Sequence, residues 1–362
     1  MKRTFNFNAG PASIPTEVLE EAQRDLLDFN GSGLSIMEAS HRSALYEDIH
    51  NEAISLMREL YKIPDDYEVL FLQGGASTQF TMVPMNLTNI GRVQFVNSGA
   101  WSKKAIKEAK ILNVNAEVVA SSEDTNFDRV PDSIEFDDNI DYAHITSNNT
   151  IYGTQYREYP ESKAPLVVDA SSDIFSYPID WNRVSLLYAG AQKNAGPSGV
   201  TIVIIKKELI GRHKESVPTM LRYQTHADTN SLYNTPPTFG IYILNLTLKW
   251  IKSKGGVDAI NEINSEKAKL IYDTIDSSNG FYIGHAQKES RSLMNISFNI
   301  RGKDKKLEAE LIKLTEDAGM VGLKGHRSVG GLRASIYNAV SIEAVEALVK
   351  IMNDFREANS GE

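Results

Sequence analysis

One lysine in this 362-residue chain stands in an unusual setting. Lys193 lies within Ala189-Gly190-Ala191-Gln192-Lys193-Asn194-Ala195-Gly196-Pro197-Ser198-Gly199, a run of small residues between the apolar stretches 186–188 and 201–205. A lysine is ordinarily a solvated surface charge. Nothing in this run supplies a charged helix face, and small neighbours let a bulky ligand approach the backbone. Desolvation in such a place lowers the pKa of an amine toward nucleophilic use. Asp169 follows another apolar stretch, 165–168, and opens Asp169-Ala170-Ser171-Ser172. It reads either as a helix cap or as the carboxylate that serves the ring nitrogen of a pyridine cofactor facing the amine.

The other candidates also follow apolar stretches, where the carboxyl ends of strands in an open α/β sheet leave a crevice. After 69–72 comes Gln73-Gly74-Gly75-Ala76-Ser77-Thr78. Paired glycines opening a helix expose backbone N–H groups to an anion, although the same pattern also makes a plain tight turn. There is no G-x-G-x-x-G fingerprint and no P-loop lysine, which leaves a nucleotide-binding oxidoreductase without support. Trp101, just past 93–96, can stack on a flat ring or fill core. Residues 143–146 lead into the hydroxyls and amides of Ser147-Asn148-Asn149-Thr150. His-Arg-Ser occurs twice, as His41-Arg42-Ser43 and His326-Arg327-Ser328, in loops rich in serine and glycine. Each is a surface charge pair or a fork for phosphate or carboxylate, the task to which arginine is suited.

Positioning these groups takes two kinds of element. Seven apolar runs, at 69–72, 93–96, 116–119, 143–146, 165–168, 186–188 and 201–205, lack clean alternation. That is the pattern of strands buried on both faces of a mainly parallel sheet. Helical spacing falls between them, as at 103–111. Two amphipathic helices come first, one through Val18, Leu19, Ala22, Leu26 and Phe29, the other from Leu45 to Leu60 and closed by Pro64. The expected fold class is α/β. From Thr238 the chain turns helical, with a second helix near 260–275. A smaller α+β unit follows: a strand in 291–300, a helix over 305–318, a strand at 332–336 and a closing helix over 342–355. The expected division is a large cofactor-binding domain of residues 16–255 and a small domain of 1–15 with 256–362.

Composition narrows the chemistry. There are no cysteines, which removes disulfides, thiolate metal sites and cysteine nucleophiles together, and no metal centre is expected. No apolar run is long enough to span a membrane. The N-terminus turns polar before an apolar signal region can form, so a cytoplasmic location is expected. With 38 basic against 47 acidic residues the net charge is −9, which argues against a nucleic-acid partner. A few Arg and His side chains inside a cleft can still focus a positive field on small anions.

Three segments carry a likeness: Phe7-Asn8-Ala9-Gly10-Pro11-Ala12, Asp169-Ala170-Ser171-Ser172, and the lysine-bearing run. Together with Gly331-Leu332-Arg333-Ala334-Ser335-Ile336-Tyr337-Asn338 they span nearly the whole chain, which closely resembles the phosphoserine aminotransferase family. That family belongs to the class-V aminotransferases of pyridoxal-phosphate (PLP) fold type I. The resemblance implies PLP as cofactor, carried by Lys193 as a Schiff base, with Lys193 also shuttling the substrate proton. It implies that Asp169 pairs with the ring nitrogen, Trp101 stacks on the ring and Thr150 hydrogen-bonds the ring oxygen. Ala76, Ser77 and Gln192 are then the phosphate ligands. By the same resemblance, His41-Arg42 and His326-Arg327 grip a distal phosphate or carboxylate, and Arg333 takes the α-carboxylate. A homodimer with shared active sites is implied, Asn234-Thr235 and His326-Arg327 serving the neighbouring subunit. One departure stands out: many members carry Gly-Arg where this chain has Ala76-Ser77, so a basic residue near the distal anion is missing.

The implied reaction is ping-pong transamination between L-glutamate and 3-phosphonooxypyruvate, giving 2-oxoglutarate and O-phospho-L-serine for serine biosynthesis. 4-Phosphooxy-L-threonine, of pyridoxine biosynthesis, is the further substrate the resemblance admits. A serine or alanine–glyoxylate transaminase is the competing reading, but its substrates lack a distal anion and leave both His-Arg pairs idle. A desulfurase of this class needs a cysteine. A non-catalytic binding module on the same fold is the rival of another kind, and intact Lys193, Asp169 and Trp101 speak against it.

Overall fold

The computed structural model describes residues 3–131 and 133–359. In chain order its elements are β1 (Phe5–Asn6), α1 (Thr16–Arg24), α2 (Ala44–Tyr61), β2 (Tyr67–Leu72), α3 (Gly75–Leu87), β3 (Arg92–Asn97), α4 (Ala100–Ile111), β4 (Asn115–Ser121) and β5 (Ala143–Thr146). Then come β6 (Asn148–Asn149), β7 (Thr154–Gln155), β8 (Leu166–Asp169), β9 (Leu186–Gly190), β10 (Thr201–Lys206), α5 (Tyr223–Ala227) and α6 (Thr238–Ser253). The last are α7 (Gly256–Asp276), β11 (Tyr282–Gly284), β12 (Asn295–Ile300), α8 (Lys305–Asp317), β13 (Met320–Val321), β14 (Leu332–Ser335) and α9 (Ile342–Ala358).

The seven apolar runs become one seven-stranded sheet in the order β2-β10-β9-β8-β5-β3-β4. β10 alone runs against the rest, antiparallel to β2 and β9, while the remaining neighbours pair in parallel. In six of these runs alternation is missing because successive residues enter two different apolar layers; the run at 116–119, expected to be buried on both faces, is the edge strand β4, where Val118 is 45% exposed and only Ala116 is buried. Val69, Phe71, Leu187, Ala189, Ile202 and Ile204 face one layer, with Leu56 of α2 and Ile241 and Leu248 of α6. Leu70, Leu72, Leu186, Tyr188, Val203 and Ile205 face the other, with Phe80 and Val83 of α3 and Ile106 of α4. When both faces demand apolar side chains, the period of two vanishes. The helical spacing expected through Phe29 stops at Arg24. Phe29 enters a separate short turn in which Asn30 has φ 53°, and it is still buried, so the spacing there reported burial rather than helix.

A further core gathers Phe7 with residues from Ala268 to Phe355, among them Ile296 and Phe298 of β12, Leu332 of β14 and Leu348 of α9. β12 pairs antiparallel with β11 and β14. α7 bridges the two regions, Val257 and Ile260 lying in the core of the large sheet and Ile271 and Ile275 in this one. β1 pairs with β13, Phe5 opposite Met320, and this ties the N-terminal segment to the same body. The sequence shows neither of these strands, because two residues carry no periodicity. No helix among the described residues is long and apolar enough to cross a membrane.

Six strands of the large sheet share one direction. The chain therefore leaves β2, β3, β5, β8 and β9 at a common edge.

Candidate active site

Each of those five strands delivers side chains or backbone to one cleft of about 670 Å³. Asp169 is the last residue of β8. Lys193 follows β9 in a tight turn, in which Ala195 N donates to Ala191 O at 3.1 Å. The N-terminal segment lies against the lysine stem. A Cβ on Gly10 would stand 3.4 Å from Lys193 Cγ, an ordinary contact, and it is the φ of +142° that favours glycine there. Ala12 N donates to Gln192 O at 2.9 Å, and the Tyr337 hydroxyl donates to Ala9 O at 2.8 Å. The Phe7–Ala12 motif thus has a local purpose, which is to cover the lysine.

Lys193 is 9% exposed. Its Nζ donates to Thr150 Oγ1 at 2.6 Å and to Ser172 Oγ at 2.8 Å, and those two hydroxyls lie 2.6 Å from each other. Burial pulls its pKa from 10.5 down to about 8; Asp169 and Asp173 oppose that shift and Arg333 adds to it. An amine titrating there has a useful neutral fraction near neutral pH. Burial raises the pKa of Asp169, opposed by its hydrogen bonds and by Lys193. Asp169 Oδ1 accepts from Ser171 N at 3.0 Å and Ser171 Oγ at 2.6 Å, whereas Oδ2 meets no donor among the described residues. One carboxylate oxygen is therefore left for a cationic ring nitrogen. Asp173, also buried, is pushed up to about 6 by burial and accepts from Ser147 Oγ (2.5 Å), Tyr177 OH (3.1 Å) and Gln155 Nε2 (3.2 Å).

The opposite wall suits an anion. Gly74 caps α3 at φ +90°, and Gly75 N donates to Thr201 Oγ1 at 2.7 Å. The next two N–H groups, of Ala76 and Ser77, line the cleft without an acceptor among the described residues, at the positive end of a helix that carries no charged side chain. Trp101 stands in the first turn of α4, which is fixed by Ser98 N and Gly99 N donating to Ser102 Oγ, each at 3.0 Å. Lys193 Nζ is 5.7 Å from the centre of its ring. From β14, Arg333 donates through Nη1 to Thr150 O at 3.3 Å, while its Nε is buried without a partner among the described residues. Burial lowers the pKa of Arg333; burial first, then Arg333 and Arg327, lowers that of His326.

Ten of the expected site residues thus meet in one cleft: Ala76, Ser77, Trp101, Thr150, Asp169, Gln192, Lys193, His326, Arg327 and Arg333. Four do not line it. His41 and Arg42 stand before α2, and Asn234 and Thr235 in the loop before α6, where Asn234 Nδ2 donates to Thr235 O at 3.2 Å. His326 and Arg327, expected to serve a neighbouring subunit, line the cleft of their own chain. Their loop folds back onto β14, with Gly325 N donating to Gly331 O at 2.9 Å and Arg333 N to Leu323 O at 2.8 Å. That short tether holds them beside Arg333. Sequence reasoning also passed over Ser171, Ser172 and Lys104. The serine two residues after Asp169 carried a usable signal, the local side-chain-to-backbone turn that Asp favours. Lys104 carried another, its i+3 spacing from Trp101.

The donor set fits PLP. A buried, partly neutral amine suits an aldehyde, an unpaired carboxylate oxygen suits a pyridinium nitrogen, an indole suits a flat ring, and two free N–H groups suit a phosphate. Comparison with known proteins agrees. The chain matches the Aminotransferase class-V family over residues 4–348. It is 59% identical over 360 residues to the phosphoserine aminotransferase of Lysinibacillus sphaericus, covering 98% of this chain and 99% of that one. The solved phosphoserine aminotransferase of Bacillus circulans subsp. alkalophilus is 52% identical with a TM-score of 0.96, covering 99% of each chain. The PLP-bound phosphoserine aminotransferase of Trichomonas vaginalis is 38% identical with a TM-score of 0.93, covering 97% of this chain and 100% of that one. By fold, cleft and sequence, the chain belongs to the class-V aminotransferases and, within them, to the phosphoserine aminotransferase family.

Proposed function

We propose that this chain transfers an amino group between L-glutamate and 3-phosphonooxypyruvate, producing O-phospho-L-serine and 2-oxoglutarate. The observation that carries the reading is the buried Lys193 amine sharing one cleft with Asp169, Arg333 and Arg327. When bound, PLP supplies an aldehyde that accepts amino groups and a ring that withdraws electrons from the carbon being deprotonated. Lys193 would hold it through Nζ, and the same nitrogen would take the proton from the substrate Cα. Thr150 and Ser172 hold Nζ in reach. Asp169 would keep a proton on the ring nitrogen through Oδ2. Trp101 would pack against the ring and exclude water. The N–H groups of Ala76 and Ser77, with Gln192, would hold the phosphate. Arg333 orients the substrate by its α-carboxylate, and Arg327 with His326 takes the distal anion.

The same reading includes a cytoplasmic homodimer with shared sites. Leu27, Leu34, Met37 and Tyr233 are exposed, at 84%, 47%, 58% and 49%. Their flank is a single one, since Ile36 and Ala39 share a core with Leu232 and Phe239. An apolar flank that also bears His41-Arg42 and Asn234-Thr235 suits a two-fold interface lending these residues to the partner's cleft. Residues 16–255 form the large domain in this reading, and 1–15 with 256–362 the small one. The test is an amino-acceptor screen with glutamate as donor. Turnover of 3-phosphonooxypyruvate far above that of pyruvate or glyoxylate is expected, and preference for glyoxylate would overturn the assignment.

A further inference from the structure

We propose that Lys104 is a substrate-binding residue whose ammonium takes the distal phosphate of the phosphorylated substrate; this rests on the transaminase reading above. Lys104 lines the cleft with Ala76, Ser77 and Arg327. It follows Trp101 by three residues on α4, the spacing that places two side chains on one helix face. Its Nζ lies 4.3 Å from the centre of the Trp101 ring, so the indole steers the ammonium.

The local energetics point the same way. Lys103 and Lys104 both stand near the positive end of α4, where cations are disfavoured. Lys103 is compensated by an ion pair with Glu123. Lys104 has no carboxylate within ion-pair distance among the described residues. Among the described residues the only carboxylate lining the cleft is Asp169, which accepts from Ser171 and would serve the ring nitrogen. A local cost without local compensation marks a residue kept for a ligand. Residue 77 is a serine and supplies no charge, so Lys104 and the arginines are the cations left for the substrate's far end.

A phosphate dianion gains more from an added cation than a carboxylate does. Lys104 therefore favours the phosphorylated substrate over glutamate. The distal phosphate takes no part in bond making, so the contact is equal in ground and transition states and acts on KM rather than kcat.

The holoenzyme variant Lys104→Gln should raise KM for O-phospho-L-serine about tenfold, an exposed charge contact being partly screened. The ratio of kcat/KM for O-phospho-L-serine over L-serine should fall by about the same factor. Competitive inhibition by inorganic phosphate should weaken in parallel, and Lys104→Arg should restore the ratio. An unchanged ratio overturns the proposal. So does an equal loss on both substrates with altered cofactor absorbance, which would mean that Lys104 acts only by holding Trp101. If the unmodified enzyme shows no preference for the phosphorylated substrate, the proposed function itself fails. If that preference exists and survives in Lys104→Gln, only this inference fails.

Discussion

Lys193 Nζ and Thr150 Oγ1 are 2.6 Å apart although 43 residues separate them in the chain. The pairing exists because β5 and β9 flank β8 and end at the same edge. It holds the amine in a dry setting where its pKa is about 8 rather than 10.5. Only the neutral amine attacks an aldehyde, and the neutral fraction grows as pH rises through that value. The rate of PLP uptake by the apoenzyme should therefore rise with pH and level off above about pH 8. Stopped-flow absorbance from about pH 6 to about pH 10 measures it; a midpoint near that of a solvated lysine would contradict the desolvated setting.

Borohydride reduction of the holoenzyme, followed by peptide mapping, should place the pyridoxyl group on Lys193. Lys193→Ala should bind PLP without the covalent link and lose nearly all turnover. Label on another lysine, such as Lys104 at the same cleft, would refute the assignment.

Arg327→Ala should cut kcat/KM for O-phospho-L-serine by about 10- to 100-fold, the worth of one charge-assisted hydrogen bond of about 1.5–3 kcal/mol. L-Serine should lose far less, and cofactor absorbance should persist. Arg42→Ala should behave alike if it reaches the distal anion from the partner. Equal losses on serine and phosphoserine would show that neither arginine reads the phosphate.

Hybrid dimers separate the two arginines. Lys193→Ala and Arg42→Ala subunits, unfolded together and refolded in equal amounts, give about half heterodimers, each with one intact site if Arg42 crosses the interface. Activity should recover to about a quarter of the unmodified level per site when sites act independently. Lys193→Ala mixed with Arg327→Ala should not recover, because Arg327 lines its own chain's cleft. Recovery in the second mixture and none in the first would reverse the arrangement.

The apolar runs and the small-residue setting of Lys193 are local properties, and they determined much before any folding was considered. Burial on both faces writes itself into a strand as lost alternation, so six of the seven strands were legible one by one for that reason, while the edge strand β4 was legible only as a short apolar run. A lysine among alanines and glycines between two such strands announces a desolvated amine wherever those strands lie. Ser172 and Tyr337 announce nothing. Ser172 matters because β8 lies beside β9, which brings its hydroxyl 2.8 Å from Nζ. Tyr337 matters because the segment that follows β14 returns to the N-terminal segment and reaches Ala9, 328 residues away. Strand order and the return of distant segments rest on many weak contacts summed over the whole core, and no short window of sequence holds that sum. The surroundings of His326 and Arg327 were decided at this level too. Their residue types suit an anion fork, but only the tether of their loop to β14 sets them beside Arg333 on this chain's cleft.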